Sequence, residues 1–265
     1  IVLVKKADGK ERFCVDYKKA NDKTVKDSYP MPRVEERINK LHGTKFFSIV
    51  DCTSGYWQIK MTERAKNISA FICSKGLFQF NVMPFGLCNA GATFQRVVEK
   101  IIEGLKDSTA YIDDVLTASK SFDEHIDQLE KLFMRFKEAN MKIKTSKCRF
   151  GQKEIKYLGY IISENCIRMD NERIKVIKNY PKPKNQKQVK QFLGLASYYR
   201  QFIENFATKA NPLNKLLKKS VRFKWSDECE IAFQGLIKAL TNTPILSYPD
   251  FNKVFHLNTD ASNVG

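Results

Sequence analysis

Tyr111-Ile112-Asp113-Asp114 lies between Thr109-Ala110 and Val115-Leu116-Thr117-Ala118. Apolar and small residues on both sides read as two short strands, with a pair of carboxylates where the chain turns back. A tight hairpin forms more easily with Asn-Gly or Asp-Gly at its tip, and adjacent carboxylates repel unless a cation neutralises them. The pair is therefore either a solvated surface turn or a cation site, and the neighbouring sequence has to decide between them.

Amphipathic helices are expected on both sides of this hairpin. Residues 89–105 carry Phe94, Val97, Val98, Ile101 and Leu105 at helical spacing, and residues 121–140 carry Ile126, Leu129, Leu132, Phe133 and Phe136 behind a Ser121-Phe122-Asp123-Glu124 capping box. Further upstream, Lys45-Phe46-Phe47-Ser48-Ile49-Val50 is a short and nearly continuous apolar run ending in Asp51. Such a run suits a strand buried on both faces. Asp51 then either caps the turn Cys52-Thr53-Ser54-Gly55 or stands as a third acid at the sheet edge. If the two strands are neighbours, Asp51, Asp113 and Asp114 converge. Such a cluster can hold two Mg²⁺ ions for in-line phosphoryl transfer.

The remaining pattern alternates short elements. Ile1-Val2-Leu3-Val4 and Arg12-Phe13-Cys14-Val15-Asp16-Tyr17 read as strands around Asp8-Gly9, with Lys5 and Arg12 as cations near the turn. Ile1 falls inside a strand-like run, so a longer product is expected. After Tyr29-Pro30-Met31-Pro32 a helix is expected over residues 33–41, then a hairpin from Phe71-Ile72-Cys73 and Leu77-Phe78-Gln79-Phe80. Tyr157-Leu158-Gly159-Tyr160-Ile161-Ile162 reads as a strand. Beyond it come helices over 171–179, 186–202 and 226–240, a turn at Asn211-Pro212, and a last strand over 253–259 ending in Asp260.

Composition narrows the function classes. The 46 Lys and Arg exceed 29 Asp and Glu by +17, an excess suited to a polyanionic partner, although solubility and membrane adhesion are other uses of a basic surface. Fourteen basic against four acidic residues between Met141 and Lys190, among them Lys182, Lys184, Lys187 and Lys190, mark a candidate backbone-binding surface. The seven cysteines are scattered without a Cys-x-x-Cys pair, which suits free thiols in a reducing compartment and argues against zinc. Apolar runs are too short for a membrane span or a secretory signal.

In order along the chain, Phe47-Ser48-Ile49-Val50-Asp51, Asn81-Val82-Met83-Pro84-Phe85-Gly86-Leu87 and Tyr111-Ile112-Asp113-Asp114 resemble the polymerase motifs of reverse transcriptases. The likeness is to the gypsy-type (Metaviridae) LTR retrotransposon Pol polyproteins, and it extends through Phe150-Gly151, Tyr157-Leu158-Gly159-Tyr160 and Gln191-Phe192-Leu193-Gly194-Leu195-Ala196-Ser197-Tyr198-Tyr199-Arg200. It implies an α+β right-hand polymerase of fingers, palm and thumb, with the start of an RNase H-like α/β domain. The implied limits are 1–162 for fingers and palm with incomplete N-terminal fingers, 163–245 for the thumb and connecting helical region, and 246–265 for the first strand of a truncated RNase H-like domain.

The same resemblance implies an RNA-directed DNA polymerase that extends a primer with dNTPs by two-metal phosphoryl transfer. Asp51, Asp113 and Asp114 would be its catalytic metal ligands, for two Mg²⁺ ions with Mn²⁺ as a substitute. Lys5 and Arg12 would grip the triphosphate, Tyr56 would block a ribose 2′-OH or else be a core aromatic, and Phe85 and Gly86 would lie under the nucleotide. Lys147 would protonate pyrophosphate or contact phosphate, Tyr157-Leu158-Gly159-Tyr160 would grip the primer, and the basic helices would track the duplex backbone. Asp260 would be the first ligand of an RNase H site whose other acids are absent, so RNase H activity is not expected.

Implied partners are an RNA template, a DNA primer, RNA/DNA and DNA duplexes, dNTPs, the remaining Pol parts (protease, RNase H, integrase) and a second copy of the chain as a homodimer. The implied location is cytoplasmic, within virus-like particles. The alternative is a decayed or co-opted retroelement fragment that only binds nucleic acid, and the intact acids weigh against it. A group II intron type polymerase is disfavoured by Phe192-Leu193-Gly194 and the Asp260 segment.

Overall fold

The computed structural model describes residues 1–5, 9, 11–218, 221–242, 246–249 and 253–254. Of the strand expected over 253–259, residues 253 and 254 are described and are not in a strand, and the rest, with Asp260, lies outside the described residues. The chain divides into two compact units, Ile1–Lys153 and Glu154–Gly265.

The first unit opens with an antiparallel pair, β1 (Val2–Lys5) and β2 (Glu11–Cys14), followed by α1 (Lys18–Lys23) and α2 (Val34–Asn39). Next come β3 (Phe46–Asp51), α3 (Glu63–Ile68), the hairpin of β4 (Phe71–Cys73) and β5 (Gly76–Phe78), and α4 (Ala90–Ile101). β6 (Ser108–Tyr111), β7 (Asp114–Ser119), α5 (Phe122–Glu138) and β8 (Arg149–Gln152) complete it. Strands pair in the order β6-β7-β3-β8, all antiparallel, so the apolar run before Asp51 is a central strand with every residue from Phe47 onward buried.

One face of this sheet carries Val50, Ala110 and Val115, and α4 and α5 cover it with Phe94, Val98, Leu129, Leu132 and Phe136. Burying those apolar side chains drives the packing, at about 1.5–3 kcal/mol for each large one fully removed from water. α5 starts as its capping box requires, Ser121 Oγ accepting from the Glu124 amide at 3.3 Å. α4 stops at Ile101, short of the expected Leu105, and Gly104 at φ +79° redirects the chain.

The second unit holds an antiparallel sheet of β9 (Glu154–Tyr157), β10 (Tyr160–Ser163) and β11 (Ile167–Met169). Its helices are α6 (Asn171–Lys178), α7 (Gln186–Tyr198), α8 (Phe206–Lys215) and α9 (Asp227–Thr241), and Phe192 of α7 meets Phe233 of α9 at 4.6 Å between ring centroids. Two expectations are corrected here. Residues 157–162 are not one strand: Leu158 and Gly159, at φ +49° and +83°, form a two-residue turn between β9 and β10. Pro212 is not in a turn but inside α8, where the buried neighbours Ala210 and Leu213 override the cost of a missing amide.

Candidate active site

Asp51 ends β3 and Asp114 begins β7, and the strand register sets them directly opposite. Like charges in that position destabilise a sheet unless a cation lies with them. The Cys52 amide donates to the Asp113 carbonyl at 3.0 Å, which ties the hairpin tip to the end of β3. On the other side of β3 the Lys144 amide donates to the Asp51 carbonyl at 2.8 Å, and the Thr53 amide donates to the Lys142 carbonyl at 3.0 Å. Backbone hydrogen bonds therefore fix the Asp113 tip and the Lys144 segment against one strand end.

The turn itself is Ile112-Asp113, since Tyr111 pairs with Asp114. Ile112 has φ +52°, a left-handed conformation that costs a β-branched residue about 1–3 kcal/mol. Asp113 Oδ1 is buried and has no hydrogen-bond partner. Burial, reinforced by the Asp51 and Asp114 charges, pushes the Asp113 carboxyl up to about 6. Burial followed by Asp51 raises Asp114 as well. Two cations, Lys147 and Arg12, oppose the rise at Asp113. Lys147 Nζ lies 2.8 Å from Asp51 Oδ2, and that contact holds the ammonium above its ordinary value.

A cleft of about 350 Å³ opens over these groups, lined by Asp51, Asp113, Lys147, Arg12, Phe85 and Trp57 among others. The Arg12 guanidinium sits 4.4 Å above the Phe85 ring, and Tyr56 packs on Phe85 and Phe94 at 5.3 and 5.5 Å. Half-buried Tyr56 thus packs beside the cleft on Phe85, one of the residues that line it. Lys5 is exposed on β1 opposite Glu11 and does not line the cleft. Gly86, at φ +101°, is needed for close backbone approach, but to its own chain: a Cβ there would meet the Val15 carbonyl oxygen at 2.9 Å.

Among the described residues no three His, Cys, Asp or Glu side chains form a ready-made metal cage. Asp51 and Asp113 line the cleft, and Asp114 is not among its lining residues. The donor set nevertheless fits a hard cation that keeps waters and takes further oxygens from a phosphate, because it offers an unpartnered buried carboxylate oxygen on Asp113 beside two further acids whose charges Lys147 and Arg12 only partly offset.

Sequence reasoning passed over three residues here. Gly55 is buried, and a Cβ on it would lie 2.5 Å from Asp113 Oδ1 and 2.6 Å from Phe94 Cζ. Gly55→Ala is therefore expected to displace Asp113 or the Phe94 ring, at a cost of about 1–3 kcal/mol read by thermal denaturation. A wild-type melting curve would mean the contact relaxes freely. Gln58 Nε2 donates to the Thr53 and Lys142 carbonyls while its Oε1 accepts from the Lys142 amide, fastening the Lys144 segment to the loop after β3. Gln95, fully buried, touches the hairpin tip. Its signal was a glutamine three residues before Val98 on the apolar face of α4.

In the second unit the Leu158-Gly159 turn is clasped by the end of α7. Tyr198 Oη donates to the Leu158 carbonyl at 2.7 Å and Tyr199 Oη to the Gly159 carbonyl at 3.3 Å, while Tyr157 and Tyr160 are buried. Lys184, Lys187 and Lys190 are exposed. Lys182 is engaged, with its ammonium 2.7 Å from Glu230 Oε2 and 5.4 Å from the Trp225 ring centroid.

Comparison with known proteins identifies the family. The family model described as reverse transcriptase (RNA-dependent DNA polymerase) matches residues 4–162, and that of an RNase H-like domain found in reverse transcriptase matches residues 225–265. The chain is 38% identical over 270 residues to the retrovirus-related Pol polyprotein from transposon 297 of Drosophila melanogaster, covering 99% of this chain and 26% of that protein. It is 36% identical to the transposon Tf2-3 polyprotein of Schizosaccharomyces pombe, over 100% of this chain and 20% of that protein. The chain thus spans about a quarter or less of the curated relatives it matches. Among solved structures, the foamy viral protease-reverse transcriptase dRH in complex with double-stranded DNA superposes with a TM-score of 0.85 at 25% identity, over 94% of this chain and 44% of that one. The foamy viral protease-reverse transcriptase in complex with RNA/DNA hybrid has a TM-score of 0.80 at 24% identity, over 92% and 33% of the two chains.

Proposed function

The chain belongs to the reverse transcriptase (RNA-dependent DNA polymerase) family, and from that premise we propose that its first unit adds deoxynucleotides to a primer along an RNA template. The observation that carries this reading is the Asp113 carboxylate, one oxygen of which is buried and unpartnered, in a cleft it shares with Asp51 and Arg12. A protein that only bound nucleic acid would gain nothing from placing three acids, one of them paired with Lys147, beside a polyanion.

In the proposed reaction the primer 3′-OH attacks the α-phosphate of a dNTP and pyrophosphate leaves. Asp51 and Asp113, with Asp114 beside them, would hold Mg²⁺, which when bound activates the attacking oxygen and neutralises charge on the transferring group. Arg12 supplies a fixed cation for triphosphate oxygens, and its stacking on Phe85 orients the guanidinium before substrate arrives. Tyr56, braced by Phe85 and Phe94, is a rigid wall beside the sugar, the property a steric filter against a 2′-OH requires. Lys147 neutralises Asp51 when no other cation is present and, once released, can reach a phosphate.

Duplex contacts are proposed for exposed Lys184, Lys187 and Lys190 and for the clasped Leu158-Gly159 turn. Lys182 contributes less, since Glu230 and Trp225 hold it. Such contacts give affinity that falls steeply with salt and depends little on sequence. The setting proposed is the Pol polyprotein of an LTR retrotransposon, a reading supported by the likeness to transposon Pol proteins, and cytoplasmic virus-like particles are proposed as its location.

The test is primer extension on an RNA template with Mg²⁺. Template-dependent extension is the expected outcome. Salt-sensitive duplex binding with no extension under any divalent cation would overturn the enzymatic reading in favour of a binding-only fragment.

A further inference from the structure

We propose that Gln95, a buried residue of α4, is a positioning residue that holds the Ile112-Asp113 turn in its left-handed form and so keeps the Asp113 carboxylate in the cleft. The inference about kinetics rests on the polymerase reading; the inference about the turn does not.

Gln95 is fully buried and uses both ends of its amide. Oε1 accepts from the Ile112 amide at 2.6 Å, and Nε2 donates to the Ala110 carbonyl at 2.9 Å. Ala110 belongs to β6 and Ile112 is the first residue of the turn, so one side chain spans the step at which the chain leaves the strand and enters the turn. Among the described residues this is the contact that satisfies the Ile112 amide, whose φ of +52° is unfavourable for a β-branched residue. Without it the turn has an open route to relax, and Asp113 is the next residue.

Amide orientation is not left free. Nε2 also donates to Glu99 Oε1 at 3.0 Å, one helical turn along α4. A carboxylate accepts and cannot donate, so Glu99 forces the nitrogen end of Gln95 toward itself and the oxygen end toward Ile112. Glu99 is held in turn by Arg37 Nη2 at 3.2 Å and by the Tyr29 hydroxyl, which donates to Oε2. Donation thus converges on Glu99, from Arg37 and Tyr29 on one side and from Gln95 on the other, and Gln95 in turn accepts from the Ile112 amide at the acidic turn. Nothing in this set touches the cleft, so Gln95 acts through the backbone and not on substrate.

Gln95→Leu keeps the volume and removes both backbone contacts. Gln95→Glu keeps the shape but sets a carboxylate against the Ala110 carbonyl and Glu99, and adding Glu99→Gln returns a donor to that second contact. The first readout is the Mg²⁺-dependent rise in melting temperature of the full chain, with hydrogen exchange at the Ile112 amide. Gln95→Leu is expected to weaken apparent Mg²⁺ affinity about tenfold and to speed Ile112 exchange by at least as much, the loss of one to two buried hydrogen bonds. Gln95→Glu should behave alike, and Gln95→Glu/Glu99→Gln should recover part of the loss. The second readout is extension: kcat should fall about tenfold or more while KM for dNTP and duplex affinity stay within about threefold.

A folded Gln95→Leu with wild-type Mg²⁺ response and Ile112 exchange would overturn the proposal. If Gln95→Leu does not fold, absence of any recovery in the double variant would do so. A wild-type chain that never extends a primer sinks the polymerase reading alone, because the Mg²⁺ and exchange measurements still decide the role of Gln95.

Discussion

Asp113→Asn is expected to reduce primer extension by about 10³-fold or more while making the metal-free protein more stable. The first effect follows from removing a carboxylate proposed to hold the cation that neutralises the transferring phosphoryl group, a loss other groups in the cleft cannot replace. The second follows from linkage. Burial, Asp51 and Asp114 raise the folded-state carboxyl from 3.8 to about 6, so the folded protein binds this proton more tightly than the unfolded chain does. Below the unfolded value both states are protonated and the group costs nothing. As pH rises toward 6 the unfolded state ionises first and stability falls, and above about 6 the penalty is complete. The shift corresponds to roughly 3 kcal/mol, which partial solvent access reduces to about 1–2 kcal/mol.

Thermal denaturation without metal should therefore show Asp113→Asn above wild type at pH 7.5 and level with it near pH 4. Added Mg²⁺ should raise the wild-type midpoint by mass action and leave the variant nearly unmoved. A variant that extends primers at the wild-type rate refutes the assigned role. A variant less stable than wild type at neutral pH refutes the electrostatic account.

How far the sequence discloses this site depends on how local each cause is. Phe47 to Val50 was readable as a doubly buried strand because its apolar run is continuous, and Asp51, Asp113 and Asp114 because acids at strand ends stand out. The match of a reverse transcriptase model to residues 4–162 bears out the family that these motifs resemble. What stayed hidden depends on contacts between distant segments. Gly55 looked like an ordinary turn glycine until Asp113 and Phe94 closed over it. Lys182 read as a free surface cation, yet Glu230, far along the chain, holds it, and that contact and two further hydrogen bonds pull the Glu230 carboxyl down to about 2. Pro212 suggested a turn because propensity is local, whereas the packing of Ala210 and Leu213 is not. Ile112 is the sharpest case. Its side chain argues for extended backbone, and a glutamine seventeen positions earlier makes the left-handed turn tolerable.

Gly159→Val carries the largest stability change expected, a loss of about 2–6 kcal/mol in the second unit. Two costs add. Valine at φ +83° is strained by about 1–3 kcal/mol. Its Cβ would also meet Tyr199 Oη at 2.6 Å, and Tyr199 is too enclosed to yield: it is 2% exposed, with Tyr198 and Tyr160 at 4.9 and 5.4 Å between centroids. Overpacking of that kind costs about 1–3 kcal/mol. The chain has two tryptophans, Trp57 in the first unit and Trp225 in the second, so Trp57→Phe leaves Trp225 as a reporter of the second unit in urea denaturation. Leu158→Asn supplies the opposite sign. Leu158 sits at φ +49° in the same turn, where asparagine is at ease, so this change should be neutral or stabilising by up to about 1 kcal/mol. If it is, leucine is retained at the tip for a contact the folded chain does not itself require, as a turn that grips a primer would need. If Gly159→Val costs under about 1 kcal/mol, the tyrosine clasp is not what orders this hairpin, and the proposed duplex contact loses its rigid support.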